Sequence, residues 1–203
     1  MLETFGRESA MTVRFRPQIA PSDEELEYLN AHNAPLRFER SLDGDLIVTP
    51  PTGGATGLQN AELVGQLRDW NRQWGHGKVL ESSTGVSIGL NGAPDAGWIS
   101  GPRYQAIPKA ERSKFFKVAP ELVFELMSPS DTAATTAKRA GEWVTAGVGL
   151  AVVLDPERRV AIPHDAGGAG AALYPSLRIE RARLPGAEAD LVLDLAALFD
   201  AAD

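Results

Sequence analysis

Two carboxylates sit where a folded chain tolerates them poorly. Glu125 lies inside Leu122-Val123-Phe124-Glu125-Leu126-Met127, a run otherwise suited to burial, and Asp95 follows Pro94 at the start of a second short apolar stretch. An ionised carboxylate in such surroundings is costly unless it is paired or bound to a metal. If the two stretches are neighbouring strands, both acids converge at one sheet edge. Two carboxylates, a backbone carbonyl and water make a hard, oxygen-rich set suited to Mg²⁺ or Mn²⁺. Glu62, on a preceding helix, is a third acid able to face the same cleft. The competing reading pairs Glu125 with a basic side chain and makes Asp95 a turn residue. Pattern leaves both open.

Other chemistries find little support. The chain has no cysteine and three scattered histidines, His32, His76 and His164. That excludes thiolate zinc sites, iron–sulfur clusters and disulfide frameworks, and narrows any metal to an oxygen-bound cation. No Gly-x-Ser-x-Gly elbow is present. The Gly-rich segment Thr52–Gly57 precedes a helix, as phosphate loops do. It lacks the Gly-Lys-Ser/Thr ending, so a glycine-rich turn with a helix cap explains it better.

The elements that must position the acids are readable from pattern. Ser22-Asp23-Glu24-Glu25 is a capping box opening a helix to about His32. Leu36–Arg40 and Asp45–Thr49, joined through Asp43-Gly44, predict a hairpin. Leu63, Leu67, Trp70 and Trp74 have helical spacing, which predicts a helix over 56–74. Lys78–Ile88 and Pro94–Ser100 read as strands, and Glu121–Met127 as a third. Ser128-Pro129-Ser130-Asp131 predicts a turn and helix cap, with the helix running to about Ala146 and ended by Gly147. Leu150–Leu154 and Arg158–Ile162 are further strands, and Leu191–Phe199 a last strand and short helix. Strands on both sides of a helix indicate one α/β domain with a mixed sheet. Residues 21–203 make that domain, and residues 1–20 an N-terminal extension without strong pattern.

Charge gives a divided message. The chain of 203 residues carries 20 basic and 27 acidic side chains, a formal charge of −7, which counts against non-specific nucleic-acid binding. Yet Arg103, Lys109, Arg112, Lys114 and Lys117 face only Glu111 across 103–117. Of these, Arg112, Lys114 and Lys117 are the candidates for contact with phosphate, against the ordinary alternative of a solvated face. No apolar run reaches the ~18 residues of a membrane helix, and no secretory segment is evident, so no membrane partner and a cytoplasmic location are expected.

Order and spacing of several short pieces carry a resemblance. They are Pro50-Pro51-Thr52-Gly53-Gly54, Asn60-Ala61-Glu62-Leu63, Gly77-Lys78-Val79 and Pro94-Asp95-Ala96. Glu125-Leu126-Met127-Ser128-Pro129-Ser130-Asp131, Gly147-Val148 and Asp155-Pro156 follow in the same order. Together they resemble the PD-(D/E)xK nuclease superfamily and, more narrowly, the Uma-two family of restriction-endonuclease-like proteins, common in cyanobacteria and other bacteria. The resemblance implies a restriction-endonuclease-like α/β core with a mixed central sheet flanked by helices, and metal-dependent endonuclease activity on DNA. It implies a Mg or Mn ion held by Asp95, Glu125 and the Leu126 carbonyl, with Glu62 in the outer shell. A homodimer is expected by analogy, since cutting both strands of a duplex often takes two sites. The sequence departs from the superfamily at position 127, where Met127 replaces the motif lysine. A basic residue on the next helix, Arg139 or its neighbour Lys138, would complete the catalytic set, and only one of them can face the cleft because they stand about 100° apart. The alternative is a catalytically degenerate nucleic-acid-binding or regulatory module that keeps the fold.

Overall fold

The computed structural model describes residues 12–203. Its elements follow in chain order β1 (Val13–Phe15), α1 (Asp23–His32), β2 (Arg37–Arg40), β3 (Leu46–Thr49) and α2 (Gly54–Trp70). Next come β4 (Lys78–Glu81), β5 (Val86–Ser87), β6 (Asn91–Gly92), β7 (Ala96–Ile99) and α3 (Gly101–Gln105). The chain continues through β8 (Leu122–Leu126), α4 (Ala133–Thr145), β9 (Leu150–Asp155), β10 (Val160–Asp165) and β11 (Gly168–Ala169). It closes with β12 (Ser176–Ile179), β13 (Leu191–Asp194) and α5 (Leu195–Asp200).

Six strands form the central sheet in the order β11-β10-β9-β8-β7-β4. The β8/β9 pair is parallel and its neighbours are antiparallel, so the sheet is mixed. The parallel pair requires a crossover, and α4 supplies it. A second sheet of five strands, β1-β3-β2-β6-β5, packs beside it, and β12-β13 make a two-stranded ribbon.

Alternation along β8 sorts its side chains onto two faces. Leu122, Phe124 and Leu126 join Leu63, Leu67 and Trp70 of α2, and the β12, β13 and α5 residues, in one core. Val123 points the other way, into a second core with Ala140 and Trp143 of α4 and Ala151 and Val153 of β9. Glu125, two residues from Val123, therefore lies on the α4 face. Each fully buried leucine or phenylalanine in these cores contributes roughly 1.5–3 kcal/mol.

Local signals act as expected at several points. Ser22 caps α1 with both bonds of the capping box. Gly147 follows α4 with φ of +106°, a backbone conformation that suits glycine. Elsewhere the chain departs from pattern. The stretch 78–88 is not one strand. It breaks at a turn closed by Thr84 N–H on the Glu81 carbonyl (2.8 Å), and β4 and β5 enter different sheets. Gly85 sits under the Phe115 ring, where a Cβ would collide. Helix α2 stops at Trp70 and passes through a π turn, Asn71–Gly75, leaving Trp74 exposed. The cap of α4 is Thr132 rather than the preceding turn, in which Asp131 accepts from Ser128 N–H (2.8 Å) and Oγ (2.7 Å).

Residues 1–11 of the expected extension lie outside the described residues. Val13–Phe15 pairs antiparallel with β3. Arg14 and Arg16 both hold Asp45, at 2.8 and 2.6 Å, and Arg14 also reaches Glu142 on α4 at 3.3 Å.

Candidate metal centre

Asp95 and Glu125 meet because β7 and β8 are neighbours. Asp95, one residue before β7, gives its N–H to the Phe124 carbonyl (3.1 Å) and accepts the Leu126 N–H on Oδ2 (2.7 Å). It thus bonds the residues on either side of Glu125. The odd-numbered positions of β7 face α4, since Ala96 and Trp98 face the α2 core. Both acids therefore share one face at one end of the sheet.

The second side-chain layer comes from α4. Arg139 and Trp143 stand four residues apart, hence on one helix face. Arg139 Nε donates to Glu125 Oε2 at 2.8 Å, and Trp143 Nε1 donates to Oε1 at 2.6 Å. Lys138 turns outward, to Asp43 at 3.0 Å and Glu142 at 3.4 Å. The pairing of Glu125 with a basic side chain is therefore real, and it coexists with convergence on Asp95.

Glu39 of β2 completes the cluster. It is 4% exposed and binds Arg139 through both oxygens, Oε2 to Nη1 at 2.8 Å and Oε1 to Nη2 at 3.0 Å. Its Oε1 also accepts the Ala93 N–H at 2.8 Å. Sequence reasoning missed it because Arg37-Phe38-Glu39-Arg40 has the look of a solvent-facing strand. Arg37 shares the Glu39 side of β2, is half-buried, and forms no ion pair among the described residues.

Burial dominates the electrostatics. It pushes the Asp95 carboxyl above the usual range, against the opposing pull of the Leu126 N–H, Arg139 and Arg37. Burial also raises Glu125. Arg139 opposes that rise, and the negative charges of Asp95 and Glu39 add to it. Burial works against the Arg139 charge, but Glu125 and Glu39 more than offset it and hold the guanidinium firmly protonated.

Other expected site residues stand apart. Glu62 is on α2, the helix covering the opposite face. It accepts a hydrogen bond from Gln66 Nε2 (2.9 Å), and Gln66 in turn binds the Asp194 backbone. Segment 103–117 leaves the far end of β7 and returns to β8 beside Glu121, at the end of these strands away from Asp95. Arg112 there donates to the Ile107 carbonyl (3.1 Å) and lies 4.7 Å from the centre of the Tyr104 ring, so it holds its own loop together. Lys114 pairs with Glu111 at 3.5 Å, and Lys117 is exposed. Met127 packs against the α4-side core.

Among the described residues, no group of three or more His, Cys, Asp or Glu side chains is arranged to hold a metal ion. The donors that do converge are hard oxygens: the Asp95 and Glu125 carboxylates, beside the backbone of Leu126. A hard cation that keeps several waters needs only one or two protein carboxylates, so this pair fits Mg²⁺ or Mn²⁺ by donor chemistry. Asp95 Oδ1 has no hydrogen-bond donor among the described residues.

No curated protein matches the chain. Among solved structures it resembles one described as "a putative nuclease belonging to DUF820", from Anabaena variabilis ATCC 29413. The TM-score is 0.69 at 17% identity, over 90% of this chain and 100% of that one, which establishes a shared fold. No helix among the described residues is long and apolar enough to cross a membrane. The Uma2 family model, described as "Putative restriction endonuclease", matches residues 23–195, and the chain belongs to that family.

Proposed function

We propose that the chain is a metal-dependent nuclease that hydrolyses phosphodiesters in DNA, with Asp95, Glu125 and the Leu126 carbonyl as ligands of one Mg²⁺ or Mn²⁺ ion. The observation that carries this reading is the pair itself: two carboxylates on one face of adjacent strands, stapled together through the Leu126 N–H at 2.7 Å. When bound, the ion polarises the scissile phosphate and lowers the pKa of a bound water.

The chain's own residues have separable tasks. Asp95 is oriented by the β8 backbone, and Glu125 by Trp143 and Arg139. Arg139 places positive charge beside the carboxylates, where charge develops on phosphate. It does not act as a proton acceptor, because a guanidinium stays protonated. Arg37 offers a second cation from the β2 side and is the residue we assign to DNA phosphate. Met127 supplies no base to take the proton of water.

The test is cleavage of supercoiled and linear DNA with Mg²⁺ or Mn²⁺. Cleavage should stop with EDTA and in Asp95→Asn and Glu125→Gln. Cleavage that ignores chelation, or survives both substitutions, overturns the reading. Met127, together with the engagement of both Glu125 oxygens by protein donors, favours a second reading, a module that binds DNA without cutting it. Retention of DNA without turnover across a metal and salt series would identify that case.

A further inference from the structure

Arg139 makes two contacts with Glu39 and one with Glu125. Its two terminal nitrogens meet both Glu39 oxygens, at 2.8 and 3.0 Å, and Nη2 also donates to the Ala93 carbonyl at 3.2 Å. Only Nε reaches Glu125, at 2.8 Å. A forked guanidinium–carboxylate pair is stronger and more directional than a single contact. Glu39 is in turn fixed by the Ala93 N–H. The guanidinium therefore has a seat that does not depend on Glu125.

Charge in the cluster is unbalanced. Three carboxylates, Asp95, Glu125 and Glu39, are set against the Arg139 guanidinium and Arg37, which forms no ion pair among the described residues, and closely placed carboxylates oppose one another's ionisation where water is scarce. The arrangement suits the arrival of further positive charge at the Asp95–Glu125 side.

We propose that Arg139 is a built-in counter-cation of Glu125, which a divalent cation displaces from Glu125 alone, and that Glu39 is the positioning residue that retains it. The inference rests on the metal-site reading above. Without the ion, Arg139 neutralises Glu125 and lets a carboxylate persist beside an apolar core. With the ion, Glu39 keeps the guanidinium next to the site instead of releasing it to solvent. Glu39 thus sets how readily Glu125 becomes available.

The experiment is a Mn²⁺ titration of the full chain by calorimetry, on wild type, Glu39→Gln and Arg139→Gln. The Trp143 indole N–H resonance is followed in parallel. Trp143 Nε1 binds Glu125 Oε1 at 2.6 Å, so its resonance reports on that carboxylate without any need for turnover. Removing the competitor in Arg139→Gln should tighten Mn²⁺ binding about tenfold or more, the scale expected of one nearby charge. Glu39→Gln leaves the guanidinium leaning on Glu125 and should weaken binding about tenfold, on the same electrostatic scale. The indole resonance should shift during each titration, and Asp95→Asn should abolish binding in every background. Arg139→Gln strands two buried carboxylates, so Arg139→Lys serves if it does not fold. A single ammonium does not span both acids, and tighter Mn²⁺ binding supports the proposal. Equal or weaker binding in the Arg139 variants, or unchanged affinity in Glu39→Gln, overturns it while leaving the metal site intact. Absence of Mn²⁺ binding in wild type and every variant overturns both readings.

Discussion

Arg139 Nε and Glu125 Oε2 stand 2.8 Å apart, so the acid that looks misplaced in the sequence is satisfied from within the protein. The contact links the crossover helix to the strand just before it. It makes the carboxylate tolerable in the fold and, on the proposal above, exchangeable.

The first prediction concerns the carboxylates. Asp95→Asn keeps an acceptor for the Leu126 N–H, and Glu125→Gln keeps the shape of its side chain. Both should fold, as judged by circular dichroism and thermal melting. Metal-dependent DNA cleavage should fall by more than the ~10–100-fold typical of losing a group that merely supports a ligand. Retained cleavage in either variant would remove that residue from the site.

Acidity gives a second. A raised carboxyl value at Asp95, about 6, means that the folded protein holds protons there that the unfolded chain has already released. The metal-free protein should therefore lose this part of its stability as pH rises above ~4, the ordinary carboxylate range. Metal competes with those protons. The gain in melting temperature given by a fixed Mn²⁺ concentration should grow from acid to neutral pH, and a gain independent of pH would contradict it.

Trp143→Phe provides a third. The indole is fully buried, and the phenyl ring keeps most of its packing. What is lost is the donor to Glu125 Oε1, leaving a buried carboxylate oxygen short of a partner. Chemical denaturation should show a loss of about 1–3 kcal/mol, the cost of an unsatisfied buried group. A loss well below that range would mean that water replaces the indole.

Arg37 is the basis of a fourth. If it touches DNA phosphate, Arg37→Gln should weaken binding across unrelated sequences and reduce the log–log salt slope by about one. Thermal stability should stay near that of wild type, since Arg37 makes no ion pair among the described residues. An unchanged salt slope would assign the contact elsewhere.

The fifth lies away from the cleft. Arg16 and Arg14 hold the Asp45 carboxyl down to about 2. A lowered value stabilises the folded state above the unfolded carboxyl range, and that contribution disappears as pH falls toward about 2. Asp45→Asn should melt below wild type at neutral pH, with the gap closing between ~4 and 2. A gap that persists in acid would show that the ion pairs are not its source.

Local chemistry explains what was legible in the sequence. The Ser22–Glu25 capping box, the end of α4 at Gly147 and the alternation through Glu125 depend on residues close in the chain. The Asp95–Glu125 convergence needed one long-range assumption, that β7 and β8 pair, and the resemblance to nucleases supplied a reason to make it. Glu39 was out of reach. Its burial depends on the β2–β3 hairpin docking against a helix a hundred residues away. The placement of segment 103–117 was out of reach for a similar reason: charge composition says nothing about which end of a strand a connection leaves. The division of 78–88 between two sheets likewise involves partners about thirty residues on, with the Phe115 ring over Gly85 and the Phe116 N–H on the Gly85 carbonyl (2.9 Å).

The short strand at the start of the described chain has a bearing on boundaries. The recurrent family pattern begins at residue 23, but among the described residues the hydrogen-bonded fabric already includes Val13. Arg14 ties that added strand to Glu142, one helical turn beyond Arg139. A fragment cut to the family's margin would strip an edge from the second sheet and leave Glu142 with Lys138 as its remaining cation. The inherited unit and the mechanical unit are thus different lengths of the same polypeptide, and the extra length braces the flank of the helix that carries the guanidinium.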